Sequence, residues 1–356
     1  MGKLSRVLLE KYVFTRTGLR DSAVIVGPKY GEDAAIIHLG DGKVLVVHSD
    51  PISEAIDGAG WLSVNIACND VAVRGVKPRW ILPVILMPSD GGEELLNRIT
   101  EEIDSAARRI GVMVVGGHTE YTPRLDRPLI SMTAMGISED GGYVLTGGGK
   151  AGDAVLMTKT AAIEGTAILA RDFRNLLLKR GVSHSIVRRA SEFIWQVSIV
   201  KEALMLAELG VNAMHDPTAG GVLEGLYEIA SSSNIELKIY VDRIPVAEET
   251  KVLCGSLGLN PLKILGSGSL LALIPSNKVD DAKSKLKEVG VDSTVIGFAC
   301  EGCGVTLLKE DGSMERILSS VKDDLTKLLG RLVQGVTSNF LAENITRRFC
   351  VIDTLI

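Results

Sequence analysis

The sequence predicts a two-domain protein of the mixed α/β class, either α+β or three-layer α/β. Each half of the 356-residue chain combines apolar strand patterns with separate amphipathic helices. A glycine-rich stretch at 140–152 lies between the halves and marks the natural domain boundary. A hydrophobic content of 46% supplies enough apolar surface for a core in each domain.

The first half is organised around a helix predicted over 62–73. This helix is apolar on more than one side, which indicates burial nearly all round, yet it carries Asn65, Asn69 and Asp70. At 3.6 residues per turn these side chains form a narrow polar stripe. A buried carboxylate is costly without a partner, so Asp70 either pairs internally or belongs to a site, and the helix alone leaves both open. The other predicted elements are strands at 33–39, 43–48, 80–87, 112–115 and 129–137 and an amphipathic helix at 93–110.

The second half contains strands and helices in similar proportion. Strands are predicted at 153–159, 270–274, 293–298 and 305–309, and helices at 164–173, 222–231 and 277–289. Mostly helical segments are expected at 174–209 and 314–350. The predicted domains are therefore a mobile N-terminal arm at 1–20, an N-terminal domain at 21–149, a C-terminal domain at 150–313 and a helical extension with a tail at 314–356.

Composition excludes several classes of function. A formal charge of −5 and an aromatic content of 4% argue against a nucleic-acid partner. No apolar run approaches the roughly 20 residues of a membrane span, so a cytoplasmic protein without membrane contact is expected. Cys300 and Cys303 form a CxxC pair but lack a second pair at zinc-site spacing. The segment 147–150 lacks the first glycine of a phosphate-binding P-loop and is interpreted as a hinge.

Two motifs of the first half carry candidate site residues. Asp33 follows Gly31 at a strand start and Asp50 ends the next strand, so both carboxylates are expected near the ends of paired strands, as ligands or as turn formers. Gly116 and Gly117 follow another strand. There the backbone can approach a ligand closely or can simply bend.

One motif of the second half completes the candidate set. Asp216, Thr218 and Gly220 precede a predicted helix whose first amide groups have no partner within the helix. Such a helix start binds anions readily, although plain capping by Asp or Thr explains it as well. His118 and His215 lie in these glycine-rich motifs and are either catalytic or local hydrogen-bonding residues.

Six motifs occur in one order along the chain. They are GEDAA at 31–35, SDPI at 49–52, VNIACNDVAVRGVKP at 64–78, GGHTEYTP at 116–123, HDPTAGGV at 215–222 and LKILGSGSLL at 262–271. Together they resemble the PurM superfamily, which includes aminoimidazole ribonucleotide (AIR) synthase, selenophosphate synthetase, thiamine-monophosphate kinase and the hydrogenase maturation factor HypE. The resemblance covers roughly residues 25–310, and HypE-like or AIR synthase-related proteins match best.

The resemblance implies a homodimer whose N-terminal domains form a shared β-barrel, a C-terminal α/β sandwich, and ATP bound in a groove near the dimer interface. It implies magnesium at Asp33, Asp50 and Asp70, because Mg²⁺ between carboxylates and a triphosphate removes their repulsion. The catalytic residues implied are Asn65, His118 and Asp216. The nucleotide site implied comprises Gly31, Asp33, Asp50, Gly116, Gly117, Thr119, Thr218 and Gly220.

The chain departs from the family pattern at three positions. His118 stands where kinases and HypE usually have Asp, and Glu32 replaces the first Asp of a GDDA-type motif. HypE ends in a cysteine that carries a carbamoyl group, whereas Cys350 lies six residues before the C-terminus of this chain. Either Cys350 carries the group on a tail of different reach, or the substrate is another one, and we favour the second interpretation.

These observations lead to one main hypothesis and two alternatives. The main hypothesis is an ATP- and Mg²⁺-dependent enzyme that activates an amide- or thioamide-like oxygen by phosphorylation, on a small-molecule or peptide-tail substrate and with a maturation partner protein. The first alternative is a small-molecule kinase resembling thiamine-monophosphate kinase. The second is a non-catalytic nucleotide-binding maturation protein.

Overall fold

The computed structural model describes residues 3–53, 55–328 and 330 and contains two seven-stranded sheets, one in each half of the chain. The elements of the first half are α1 (Arg6–Tyr12), β1 (Val24–Val26), β2 (Ala35–Gly40), β3 (Lys43–Ile52), α2 (Ala59–Ala72), β4 (Pro78–Pro88), α3 (Gly92–Ile110), β5 (Met113–Val114), β6 (His118–Thr122) and β7 (Leu129–Glu139).

The second half begins at the end of the predicted glycine-rich boundary. Its elements are β8 (Asp153–Thr158), α4 (Ile163–Asp172), α5 (Arg174–Lys179), α6 (His184–Ser191), α7 (Val200–Glu208), β9 (Ala213–His215), α8 (Gly221–Ser233), β10 (Glu236–Tyr240), α9 (Glu248–Leu257), β11 (Leu271–Pro275), α10 (Val279–Glu288), β12 (Ser293–Cys300), β13 (Gly304–Leu308) and β14 (Met314–Ile317).

The first sheet has the strand order β1-β2-β3-β7-β4-β5, and β6 also pairs with β4. In β3 the side chains alternate, so that Val44, Val46 and Ile52 are buried on one face. Helix α2 packs against this face, across β3 and β7, and α3 packs beside α2. The opposite face of the sheet has no covering element within the described part of the chain, and its apolar side chains are half-buried or exposed.

Helix α2 is buried along its whole length, as the sequence predicts. The sheet and α3 account for two sides, and the second half of the chain covers the remaining side. There the Trp61 indole donates to Ile194 O at 2.9 Å, and the Asn69 amide donates to Val197 O at 2.9 Å. Asn69 Oδ1 accepts from Ile199 N at 2.9 Å. The helix belongs to the first half and is therefore hydrogen-bonded to the second half.

The second sheet has the order β14-β13-β10-β12-β8-β11-β9 and is covered on both faces. Along β8, Val155 and Met157 pack on the α8 side, whereas Ala154 and Leu156 pack on the side of α7 and α10. Alternation along an apolar strand thus serves two cores, which is the pattern of a sheet buried on both faces. This three-layer arrangement confirms the mixed α/β fold class and the predicted sandwich in the second half.

Several elements differ from the sequence-based prediction. The segment predicted as helical from residue 314 begins instead with strand β14, and the part of that prediction beyond residue 330 lies outside the described residues. The short strands β1 and β10 and the helix α9 were not predicted. Residues 118–122, interpreted as following a glycine bend, form strand β6. Residues 6–12 of the predicted arm form α1, and its Arg6 donates to Ser231 Oγ of α8 at 2.9 Å.

None of the described helices is both long enough and apolar enough to cross a membrane.

Candidate cation and nucleotide site

The structure brings His48, Asp50 and Asp70 together. Because strand side chains alternate, His48 and Asp50 lie on the same face of β3 as the buried valines, beneath the last turns of α2. Asp70 projects from α2, and its Oδ2 is 3.3 Å from His48 Nε2. One ligand atom from each residue lies within 4.8 Å of the other two, which is a spacing that a single cation can close.

Two further carboxylates surround Asp70. Burial raises the pKa of Asp70 well above its usual value, and the charges of Asp33, Asp50 and Asp216 raise it further. Burial also raises the pKa of Asp50. Asp216 comes from the turn between β9 and α8, so carboxylates from both halves of the molecule meet here. We call this group, Asp33, Asp50, Asp70 and Asp216 with His48, the acidic centre. A cation at this centre would relieve their mutual repulsion.

Asp216 is completely buried, and neither of its carboxylate oxygens has a hydrogen-bond partner among the described residues. Burial raises its pKa well above the usual value, and the nearby Asp33 charge adds to this. The Asn69 amide lowers this pKa, because one of its N–H groups donates to Val197 O and the other remains available near Asp216, although outside ordinary hydrogen-bond geometry. Because an unpartnered buried carboxylate is costly, Asp216 fits a ligand to a cation that bridges the two domains.

Asp33 is held by two cations of the chain itself. Its Oδ2 accepts from Arg74 Nη2 at 3.0 Å and lies 2.9 Å from His215 Nδ1. Although burial would raise the pKa of Asp33, His215 and Arg74 lower it below the usual value. Arg74 is fully buried and also donates to Glu32 at 2.6 Å and to Met214 O at 2.7 Å. Asp33 therefore lies beside the His48–Asp50–Asp70 group as a paired carboxylate.

His215 continues this chain of alternating charges. Burial alone would lower the pKa of its imidazole, but Asp33 and Glu228 outweigh burial and raise it to about 10. His215 Nε2 lies 2.8 Å from Glu228 Oε2, and Lys3 Nζ lies 3.3 Å from the other oxygen of Glu228. Cations and anions thus alternate from just after α2 to the N-terminal arm, in the order Arg74, Asp33, His215, Glu228 and Lys3.

The predicted asparagine lies in the same helix but uses its amide locally. Asn65 Nδ2 donates to Trp61 O, one turn earlier in α2, at 2.8 Å. Its role as an active-site amide stays a prediction. Asn69, which the sequence analysis placed on the same stripe, instead fastens α2 to the 197–199 segment.

The glycine pair before β6 approaches protein backbone. A Cβ on Gly117, whose φ is +145°, would lie 2.2 Å from Pro83 O in β4, so only glycine fits there. His118 is largely exposed and pairs with Glu120 at 3.0 Å. Thr119 is exposed on the same strand. No described hydrogen bond joins these residues to the acidic centre, and their assignment to catalysis and nucleotide binding stays a prediction.

Two other predicted glycines also pack closely against the chain. A Cβ on Gly31 would lie 2.5 Å from Ser232 Oγ of α8. The Gly220 amide at the start of α8 donates to Asp323 Oδ2 at 2.8 Å. The predicted anion site at this helix start therefore already holds a carboxylate, one supplied by the chain's own 318–328 segment. Among the described residues, Asp323 and not the Thr218 hydroxyl caps this amide. The Thr218 carbonyl oxygen accepts from Gly266 N at 3.1 Å.

The sequence analysis missed His48, Arg74 and Glu228. His48 had a detectable signal, because it stands two residues before Asp50 in a strand and must share its face. Arg74 and Glu228 had none, since their partners are distant in sequence and belong to the other half of the molecule.

Family models identify the chain. The N-terminal domain of the AIR synthase related proteins matches residues 31–138, and the C-terminal domain of the same proteins matches residues 150–309. The chain belongs to the AIR synthase related protein family. The resemblance inferred from the motifs is confirmed, and the two matched regions correspond to the two sheets.

Individual members of this family place the chain near HypE. It is 29% identical over 266 residues to the carbamoyl dehydratase HypE of Cupriavidus necator, covering 71% of each protein. The fold matches HypE in a HypE–HypF complex with a TM-score of 0.71 and 24% identity, covering 87% of this chain and 99% of that one. It matches HypE in complex with ATP with a TM-score of 0.67 and 21% identity, covering 90% and 96%.

Proposed function

We propose that the chain is an ATP-dependent enzyme of the HypE and AIR synthase related group, which uses a divalent cation to activate an amide- or thioamide-like oxygen by phosphorylation. The observation that carries this proposal is the buried Asp216 carboxylate, which has no hydrogen-bond partner among the described residues and lies near Asp33, Asp50 and Asp70 of the other domain. The acidic centre repels a triphosphate unless cations lie between them. The dehydratase name of the relative and the ATP complex of the structural neighbour support the same reaction class.

The residues present fit a divalent cation. Asp50 and Asp70 supply oxygen ligands of the kind that divalent cations such as Mg²⁺ accept, and the buried Asp216 carboxylate lies nearby. When bound, the cation would neutralise charge on the phosphates during transfer. Arg74 and His215 keep Asp33 ionised and in place, so that this carboxylate adds negative potential beside the cation. Helix α2 is buried along its whole length and Asp70 is only 4% exposed, so bulk water has little access to this side of the site.

The catalytic test separates the main proposal from kinase activity. Phosphorus NMR follows ATP turnover with a panel of carboxamide and thioamide acceptors, including a peptide of residues 343–350 carbamoylated at Cys350. The proposal expects free phosphate to accumulate with an acceptor and not without one. Phosphate retained on the acceptor would establish the kinase instead, and ATP binding without turnover for any acceptor would favour the non-catalytic alternative.

The binding test uses calorimetric titration with ATP. Binding is expected to require the divalent cation and to be lost in Asp70→Asn. Asp140→Asn is the matched control, because Asp140 is exposed at the end of the first sheet and its one ion pair among the described residues is with His38. A folded protein that binds no ATP with any divalent cation would refute the proposal.

We also propose that the protein acts as a homodimer in the cytoplasm with a maturation partner, as the HypE–HypF complex suggests. The open face of the first sheet supports the dimer, because its apolar side chains Leu82 and Met135 are only half-buried and Val84 is exposed. Val84→Lys is expected to shift the molar mass measured by light scattering from dimer to monomer. An unchanged mass would exclude this face as the interface.

A further inference from the structure

His48 is the member of the acidic centre that the family resemblance does not assign. It lies on the inward face of β3, partly buried, with Nε2 3.3 Å from Asp70 Oδ2. Within the described part of the chain, Asp70 is its only ion-pair partner. A neutral imidazole offers a nitrogen lone pair to a metal ion.

The geometry is that of a three-residue metal site. The ligand atoms of His48, Asp50 and Asp70 lie within 4.8 Å of one another. Ligands about 2.1 Å from one ion stand about 3–4 Å apart, so the 3.3 Å between His48 Nε2 and Asp70 Oδ2 already fits, and Asp50 reaches the ion by a side-chain movement on the order of 1 Å. Two of the three residues share a rigid central strand, and the third lies on a fully buried helix.

A second observation points independently to a ligand at this position. Asp216 is fully buried with both oxygens unpartnered, and its charge acts directly on Asp70. It lies outside the three-residue group itself and adds negative potential from the opposite domain. A cluster of acidic residues on the surface needs no ion. A buried carboxylate without a hydrogen-bond partner is costly, and a cation nearby would offset that cost.

We propose that His48, Asp50 and Asp70 form a site for a first-row transition-metal dication, such as Mn²⁺ or Co²⁺, in preference to Mg²⁺. Nitrogen is the reason: Mg²⁺ prefers an all-oxygen shell, whereas imidazole suits transition metals. This inference deepens the proposed function by naming the cation class of its site. Its test measures metal binding without nucleotide, so the two can fail separately.

The first experiment is spectroscopic and uses the full-length protein after removal of metals by a chelator. Mn²⁺ is titrated and its loss from solution is followed by electron paramagnetic resonance. Pulsed measurements on the bound ion are expected to show coupling to a ¹⁴N nucleus of imidazole. Bound Mn²⁺ without nitrogen coupling would overturn the proposal, as would the absence of Mn²⁺ binding.

The second experiment changes the ligand type. His48→Asp makes the site all-carboxylate, and it is expected to lose the ¹⁴N signal and to lower the ratio of Mn²⁺ to Mg²⁺ affinity by about tenfold or more. His48→Ala is expected to lose the signal and weaken Mn²⁺ binding by a similar factor. The control is His184→Ala, at an exposed helix start, which keeps both signal and affinity.

The outcomes separate this inference from the proposed function. An unchanged affinity ratio in a folded His48→Asp protein contradicts the metal assignment, even if ATP turnover persists. Conversely, nitrogen-coupled Mn²⁺ binding in a protein that never hydrolyses ATP upholds the metal site and refutes the enzyme. If His48→Ala fails to fold, the wild-type spectrum and His48→Asp still decide.

Discussion

Replacing Arg74 by methionine removes the cation that holds the two halves of the molecule at the acidic centre. Arg74 is fully buried and pairs with Glu32 at 2.6 Å and with Asp33 at 3.0 Å. Methionine fills a similar volume but leaves buried carboxylate charge uncompensated. Breaking a buried ion pair by removing one partner costs about 3–5 kcal/mol. Since domains are stable by about 5–15 kcal/mol, this loss is a large fraction of the total.

Urea unfolding followed by circular dichroism measures the effect of Arg74→Met. Adding Glu32→Gln to this variant is expected to recover part of the loss, because it removes one of the stranded charges. The control is Arg108→Met, which breaks a solvent-exposed pair with Asp104 on α3 and is expected to have little effect. A free energy of unfolding within about 1 kcal/mol of wild type for Arg74→Met would refute the argument that this buried network holds the domains.

Two other substitutions test the packing around the site by the same unfolding assay. Gly117→Ala places a Cβ 2.2 Å from Pro83 O and is expected to cost about 1–3 kcal/mol, whereas Gly255→Ala meets nothing within 4 Å inside α9 and should stabilise by about 0.5–1 kcal/mol. Equal effects would contradict the close approach. Asn69→Leu leaves two backbone groups of the adjoining segment unpaired and is expected to cost about 2–4 kcal/mol. Asn97→Leu on exposed α3 is its control, and a loss no larger than the control's would dismiss the inter-domain role.

Local patterns were sufficient to predict most of the fold. The buried helix was predicted because apolar residues appear on several of its sides, and the long strands because they alternate or run apolar between turns. The failures were the elements without a local signal. Strand β14 was predicted as helix because its pairing with β13 is a tertiary preference that its own residues do not encode.

The site was predictable only as far as single segments could show it. Asp70 was found because it interrupts an apolar helix, and Asp50 because it follows an apolar strand beside Pro51. Whether a carboxylate is free or paired depends on the other domain, and sequence cannot bring Arg74 and His215 onto Asp33. Capping of Gly220 by Asp323 was hidden for the same reason, since 103 residues separate the partners.

The carboxylates of the acidic centre differ in their partners, because Asp33 is paired with Arg74 and His215. Asp33 Oδ2 is already occupied by the Arg74 guanidinium and the His215 imidazole, and exchanging those partners for a metal would leave Arg74 unpaired in the interior. Asp50, Asp70 and Asp216 lack such cations among their described hydrogen-bond partners. The structure therefore favours a cation on the His48 side of the centre, with Asp33 acting through its field, and the affinity measurements on His48→Asp report on this placement directly.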